Sequence, residues 1–192
     1  MNPFHYVTVI PKCVPETLAK LFLSLPKDIS PATVGYSDKQ KPNSSSRITN
    51  WIALPPEIIQ NTTNAIQNLY NNQLINTYKQ SIKNIESPQL LYYSLGGKYD
   101  EHNDSEDFVH GQLKRVCERD VTILIYLNDN YEGGELEFTN AGVSLKPKAL
   151  TLIAFPSYIE YTHRVHPVTS GERYTIVSWI NTYDRIYKRP YL

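Results

Sequence analysis

His102 and Asp104 stand two residues apart in Y-D-E-H-N-D, and His163 follows in Y-T-H-R-V-H-P. Residues two apart in an extended strand project to the same face. One imidazole and one carboxylate can therefore reach a single ion from one side, and a second imidazole on a later strand can close that face. Two nitrogens and a carboxylate leave the other positions of a metal open, a donor set that suits Fe(II) holding an organic co-substrate and O2. Arg173 lies ten residues beyond His163. Its planar, permanently charged fork suits the far carboxylate of a 2-oxo acid. Tyr126, in T-I-L-I-Y-L-N, either adds a hydroxyl to that carboxylate or is a core tyrosine with a satisfied OH.

Taken singly, each of these residues reads as something plainer. His-x-Asp is common in surface turns, and His166 rivals His163 three residues away. The ordered set is more specific: His-x-Asp on an early strand, a histidine on the penultimate strand, and a basic residue opening the last one. Alternation also separates the two histidines. Residues 163 and 165 share a face and should point inward, which turns His166 outward or to the rim. His5 and His110 lie in no motif.

The elements that must carry these residues follow from periodicity. Residues 4–10 are β-branched and aromatic and predict a strand. Pro15 opens a helix whose apolar stripe is Leu18, Leu21, Phe22 and Leu25, and Pro26 stops it. Residues 26–47, with three prolines and Asn43-Ser44-Ser45-Ser46, predict a long loop. Residues 33–50, with Tyr36 and Arg47, would be either a mobile segment over the metal mouth or a plain connector. Pro55-Pro56 opens a second helix with the stripe Ile59, Thr62, Ile66, Leu69 and Tyr70. It should continue through Leu74, Ile75 and Tyr78, with a break near Asn71-Asn72.

After Pro88 the period changes from about 3.6 to 2. Strands are expected over 89–95, 99–103, 119–128, 135–139, 143–146, 149–155, 161–168 and 173–180, separated by Gly- and Pro-containing turns. The stretch between Asp104 and Arg119 reads as a substrate loop or a disordered one. Short strands at hairpin spacing suggest two packed sheets or a barrel, and helices preceding them suggest an α+β fold with helices buttressing one sheet.

The chain has 192 residues and a formal net charge of zero. That length suffices for one domain with a sizeable core, expected to run over 1–192 with a helical part at 1–87 and a strand core at 88–181. A neutral chain gives no reason to expect nucleic acid or an anionic membrane as partner. With no apolar run of spanning length and no signal-peptide pattern at the N-terminus, the expected location is cytoplasmic. Cys13 and Cys117 match no metal or redox spacing and are expected as free thiols.

Several segments together carry a family likeness. Tyr93, Gly96, Tyr99, His102 and Asp104 form one of them, and Y-L-N-D-N-Y-E-G-G-E-L-E-F at 126–138 another. H-R-V-H-P-V-T-S-G-E-R-Y-T-I-V-S-W-I at 163–180 is the most specific, and S-S-S-R-I-T-N-W at 44–51 adds an upstream piece. Over roughly residues 44–181 the chain resembles the prolyl 4-hydroxylase-like branch of the Fe(II)/2-oxoglutarate dioxygenases, closer to small bacterial and viral members than to collagen-modifying animal enzymes. The resemblance implies a double-stranded β-helix, or jelly-roll, core. It implies iron on His102, Asp104 and His163, and the 2-oxoglutarate C5 carboxylate on Arg173 and Tyr126. Tyr93 would lie beside the co-substrate and Trp179 would line the same pocket. Arg47 and Trp51, with Tyr99 and His166, are candidates for the substrate face. O2 is the implied oxidant, and ascorbate a further implied ligand.

The activity so implied is hydroxylation of a peptidyl side chain, proline first, with succinate and CO2 as co-products. The partner would be a proline-containing peptide or protein, or else a small molecule. The alternatives are a hydroxylase of a free amino acid, a lysyl residue or a metabolite, and a cupin-like barrel that binds without catalysis. A zinc hydrolase could use the same three ligands, but it has no need of Arg173.

Overall fold

A computed structural model describes residues 3–34, 41–42 and 45–186 of the chain. The central strands Val121–Tyr126 and Arg173–Thr182 are buried along their whole length. Val121–Tyr126 accordingly reads as a nearly continuous apolar run, while Arg173–Thr182 buries Arg173, Thr175, Ser178 and Asn181 among its apolar residues. Both strands lie at the middle of the larger sheet. Its order is Thr8–Ile10, Leu152–Pro156, Val121–Tyr126, Arg173–Thr182, Gln89–Tyr93, Asn50–Ile52 and Ile29–Pro31, with Ile82–Ile85 also paired to Arg173–Thr182. The smaller sheet runs Val143–Leu145, Leu136–Phe138, His163–Val165, Lys98–His102 and Arg47–Ile48. Pairing is antiparallel within both sheets.

Leu91, Leu124, Phe155 and Val177 of the larger sheet pack on Leu136, Phe138 and Val165 of the smaller one. Their neighbours Leu90, Ile123, Ile125 and Ile176 face the opposite way, onto Phe22, Ile66, Tyr70, Leu74 and Tyr78 of the helical part. The result is the expected α+β arrangement, a double-stranded β-helix buttressed by N-terminal helices. Among the described residues no helix is long and apolar enough to cross a membrane. Cys13 and Cys117 are free thiols.

The first helix is Glu16–Leu23, entered at Pro15. Ala19 and Phe22 are its buried residues, and Leu18 and Leu25 pack partly against the core. Leu21 does not belong to the stripe: it is 44% exposed, turned about 100° from Phe22 by the helical period. The second helix, Pro56–Leu69, passes through a π-turn at Tyr70–Leu74 into Ile75–Tyr78. The expected break at Asn71-Asn72 is this wider turn, and the chain remains helical across it. Thr62, Ile66, Tyr70, Leu74 and Tyr78 are buried at a spacing of four, and the Tyr70 and Tyr78 rings stack 6.1 Å apart.

Other expectations are corrected. The segment 4–10 is a 3-10 turn at Pro3–Tyr6 followed by the strand Thr8–Ile10. The segment 161–168 is split into a 3-10 turn at Ile159–Tyr161 and strands His163–Val165 and Val168–Ser170. Pro167 separates the two strands because it cannot donate to a ladder. The expected loop at 26–47 contains Ile29–Pro31, Thr33–Val34, Lys41–Pro42 and Arg47–Ile48. Pro31 is tolerated there because its strand ends the larger sheet. Of the expected mobile segment 33–50, residues 47–48 and 50 lie in edge-region strands; Tyr36, with the rest of 35–40 and 43–44, lies outside the described residues. The stretch after Asp104 is an ordered hairpin, Glu106–Val109 with Gln112–Arg115. Its two-residue turn, His110-Gly111, has φ of 53° and 75°, as a primed hairpin turn requires.

Candidate active site

The smaller sheet brings Lys98–His102 and His163–Val165 side by side. His163 is registered directly opposite His102. Asp104 lies just past the end of the His102 strand, where its N–H donates to Ser157 O at 3.1 Å. One ligand atom from each of His102, Asp104 and His163 falls within 4.8 Å of the others. Asp104 Oδ1 is 3.8 Å from His102 Nε2, and Asp104 Oδ2 is 3.9 Å from His163 Nε2.

Each ring is oriented by a backbone carbonyl. His102 Nδ1 lies 2.8 Å from Asp100 O, and His163 Nδ1 lies 3.0 Å from Tyr161 O. A neutral imidazole donating there leaves its Nε2 lone pair free toward the shared point. Burial, then the neighbouring His163, pushes His102 down to about 3, so its ring is neutral at physiological pH. Burial pushes the Asp104 carboxyl up, but His163, His102, the Thr122 hydroxyl and Arg119 together hold it below the usual carboxylate range. Thr122 Oγ donates to Asp104 Oδ2 at 2.6 Å. A divalent cation binds imidazole in its neutral form and carboxylate in its ionised form.

The three residues line a cavity of about 350 Å³ that also reaches Tyr93, Arg119, Arg173, Thr175 and Trp179. Arg173 is 1% exposed. Its Nη2 donates to Tyr126 OH at 3.1 Å, while Nε and Nη1 have no hydrogen-bond partner. Trp179 Nε1 and Thr175 Oγ are likewise buried without a partner. The Arg173 guanidinium lies 4.6 Å from the Tyr93 ring and 4.8 Å from that of Tyr126. An arginine out of water with two idle donors is costly unless an anion joins it. The cavity thus has a face that fits a divalent cation and a cationic wall that fits a carboxylate.

The substrate-face candidates divide. Tyr99 and Arg47 line the cavity; Tyr99 stacks on His102 at 3.6 Å and carries the Arg47 guanidinium at 4.5 Å. His166 does not reach it. Its Nε2 meets Glu137 Oε2 at 2.6 Å on the outer face of the smaller sheet, as alternation from His163 dictates. Trp51 is also absent from this wall and lines a neighbouring cavity, because it stands beyond the edge of the smaller sheet. Tyr126 is fully buried beside Arg173 and does not form part of the wall.

Sequence reasoning missed four supporting residues. Thr122 holds Asp104, and period-2 spacing from Tyr126 could have found it. Arg119 lies 3.6 Å from the Trp179 ring and pairs with both Glu86 oxygens at 2.6 and 2.8 Å. Tyr131 has a buried, unpaired hydroxyl. Gly134 brings Tyr131 and Arg173 together: an added Cβ would meet Arg173 Cδ at 3.0 Å and Tyr131 Cε2 at 3.1 Å.

The family model for the 2OG-Fe(II) oxygenase superfamily matches residues 88–181. A PKHD-type hydroxylase of Psychrobacter sp. is 34% identical over 107 residues, covering 54% of this chain and 40% of that protein. Human prolyl 3-hydroxylase 2 is 40% identical over 114 residues, covering 50% of this chain and 16% of that protein. The chain thus spans less than half the length of these curated relatives. Among solved structures, the 2OG complex of the viral collagen prolyl hydroxylase from Paramecium bursaria Chlorella virus-1 superposes with a TM-score of 0.66 at 23% identity, over 91% of this chain and 95% of that one. A Trichoplax adhaerens prolyl hydroxylase, solved with a hypoxia inducible factor peptide fragment, gives 0.68 at 20% identity, over 92% and 84%. At these identities the structural likeness is one of fold. Over residues 88–181, the chain is thus similar to the 2OG-Fe(II) oxygenase superfamily.

Proposed function

We propose that this protein is an Fe(II)- and 2-oxoglutarate-dependent dioxygenase that hydroxylates a peptidyl side chain, proline first. The observation that carries this reading is the pairing, in one cavity, of the His102–Asp104–His163 face with a buried Arg173 whose Nε and Nη1 have no hydrogen-bond partner. A hydrolytic metal site would need the first feature and not the second. The names of the relatives supply the substrate class. We further propose that the helical part and the jelly-roll core act as one domain, since residues of both form one apolar cluster.

When bound, Fe(II), 2-oxoglutarate and O2 supply the oxidising chemistry, which places one oxygen atom on a substrate C–H and leaves succinate and CO2. His102, Asp104 and His163 would hold the metal, their free nitrogens and carboxylate already facing one point. Thr122 would fix the carboxylate rotamer. Arg173 would take the distal carboxylate of 2-oxoglutarate through its idle donors, with Tyr126 bracing the guanidinium through its Nη2. Tyr93 and Trp179 would confine the co-substrate, and Leu124, Val165 and Val177 would keep water out. Tyr99 and Arg47 stand at the substrate side. Ascorbate would serve as an accessory reductant.

The test is turnover of 2-oxoglutarate by the Fe(II)-loaded protein with proline-rich peptides, free amino acids and lysine-containing peptides, scoring succinate and mapping oxidation by mass spectrometry. A mass gain of one oxygen on a peptidyl proline, dependent on Fe(II) and 2-oxoglutarate, is expected. Oxidation confined to free amino acids would replace the peptide reading. No 2-oxoglutarate consumption with any substrate would overturn the enzyme reading.

A further inference from the structure

Trp51 is 42% exposed, although it lies on the inner face of the larger sheet. Its register partner is Leu91, and Leu91 in turn pairs with Thr175. Residues directly opposite in a sheet share a face, and both Leu91 and Thr175 line the metal cavity. Trp51 therefore prolongs the wall of that cavity by one strand. It is uncovered because the smaller sheet ends with Arg47–Ile48.

A second cavity of about 440 Å³ occupies this uncovered stretch, walled by Trp51, Ala53, Leu54, Ile59 and Pro88. Thr33, Arg47 and Gln89 line both cavities. The two spaces are thus neighbours along one groove, which runs from the metal-binding face to the indole of Trp51. Among the described residues, Arg47 is the one charged residue lining the second cavity. The space suits an apolar side chain rather than an ion.

We propose that this second cavity is a substrate subsite that takes an apolar residue, a proline ring foremost, flanking the hydroxylated position of an extended peptide. The proposal rests on the peptide-hydroxylase reading and adds where the rest of the peptide lies. An exposed indole bordered by proline and aliphatic residues is a surface against which a proline ring packs. A polyproline II segment has no internal hydrogen bonds to break and little freedom to lose on binding. The shared lining makes the groove continuous with the cavity that would hold the reacting residue, so one peptide could fill both.

The experiment compares decaproline with triproline as substrates of the Fe(II)-loaded protein, and measures decaproline binding by calorimetry in the presence of Mn(II) and 2-oxoglutarate. Decaproline should have the lower KM. Trp51→Ala should raise that KM roughly tenfold, the scale of one lost aromatic contact, and erase most of the length advantage. Trp51→Phe should recover much of it. Ala53→Trp, at an exposed position, should mimic Trp51→Ala by filling the cavity while leaving Trp51 in place. If both Trp51→Ala and Ala53→Trp kept the wild-type decaproline KM, the subsite would be refuted and the hydroxylase reading would stand. If decaproline bound in a Trp51-dependent way and was never oxidised, the peptidyl-proline reading would fall and the cavity would remain only as a polyproline-binding site. Failure of the wild-type protein either to bind or to oxidise decaproline would overturn the subsite as proposed.

Discussion

Arg173 makes the strongest demand of any single residue, because it is charged, buried and only partly hydrogen-bonded. Two opposite outcomes follow from one substitution. Arg173→Met should raise the melting temperature of the ligand-free protein, since it removes an uncompensated buried cation. The same change should raise the 2-oxoglutarate requirement roughly a hundredfold or more, the effect of stranding a carboxylate without a partner worth about 3–5 kcal/mol. Melting curves with and without 2-oxoglutarate read both, because co-substrate should stabilise the wild type and not the variant. A melting point lowered in the ligand-free state would mean that Arg173 is structural. Around the metal, His163→Ala should abolish Co(II) binding in a spectroscopic titration, whereas His166→Ala should keep it, its imidazole being turned to Glu137. Thr122→Val removes the 2.6 Å bond to Asp104 and should weaken Co(II) roughly 10–100-fold. The convergence of His102, Asp104 and His163 was legible in their spacing. Tyr131 was not, because its approach to Arg173 depends on the path of a turn and not on strand period.

That turn belongs to the scale of elements. Gly133 and Gly134 have φ of 69° and 65°, a region in which side-chain-bearing residues are strained. A Cβ on Gly133 would lie 2.1 Å from Pro167 O, a backbone atom that cannot swing aside. Gly133→Ala should therefore cost stability outright, lowering the melting temperature. A Cβ on Gly134 would press on Arg173 Cδ and the Tyr131 ring, which are side chains and can yield. Gly134→Ala should accordingly raise the 2-oxoglutarate KM more than it lowers the melting point. Equal losses in both variants would remove the distinction. Most of the strands after Pro88 were legible because period 2 is strong where one or both faces are buried. The exceptions have physical causes. Strands at 29–31 and 47–48 are short and lie at sheet rims, where proline is tolerated and alternation is too brief to register. The hairpin after Asp104 is polar and half-exposed, so its sequence resembles a loop, and only the Gly111 turn betrays it.

For the whole molecule, the question is what ties that hairpin to the metal-binding face. Asp120 is fully buried and gathers three separate pieces of chain. Arg115 Nη2 reaches its carboxylate at 3.0 Å, the Tyr158 hydroxyl donates at 2.7 Å, and Thr182 N–H donates at 2.9 Å. Asp120 O also accepts the Ser157 N–H at 3.0 Å. Ser157 O in turn accepts both the Asp104 N–H at 3.1 Å and the Ser105 hydroxyl at 2.9 Å. The end of the last strand, the tyrosine turn and the hairpin thus meet at one buried anion, and Ser157 links it to the backbone of the carboxylate ligand. Asp120→Asn keeps the shape but loses the charge facing Arg115, and should cost about 1.5–3 kcal/mol, the range for a hydrogen bond to a charged group. For a chain of this size each kcal/mol lowers the melting point by roughly 2–4 °C. Asp120→Ala should cost more, since it also leaves the Thr182 amide without its acceptor in the interior. If the cluster positions Asp104 as well as stabilising the fold, Co(II) affinity measured well below the melting point should fall in step with stability across the two variants. Loss of stability with wild-type Co(II) affinity would confine Asp120 to holding the strands and the hairpin together, and would leave Thr122 as the residue that sets the Asp104 carboxylate.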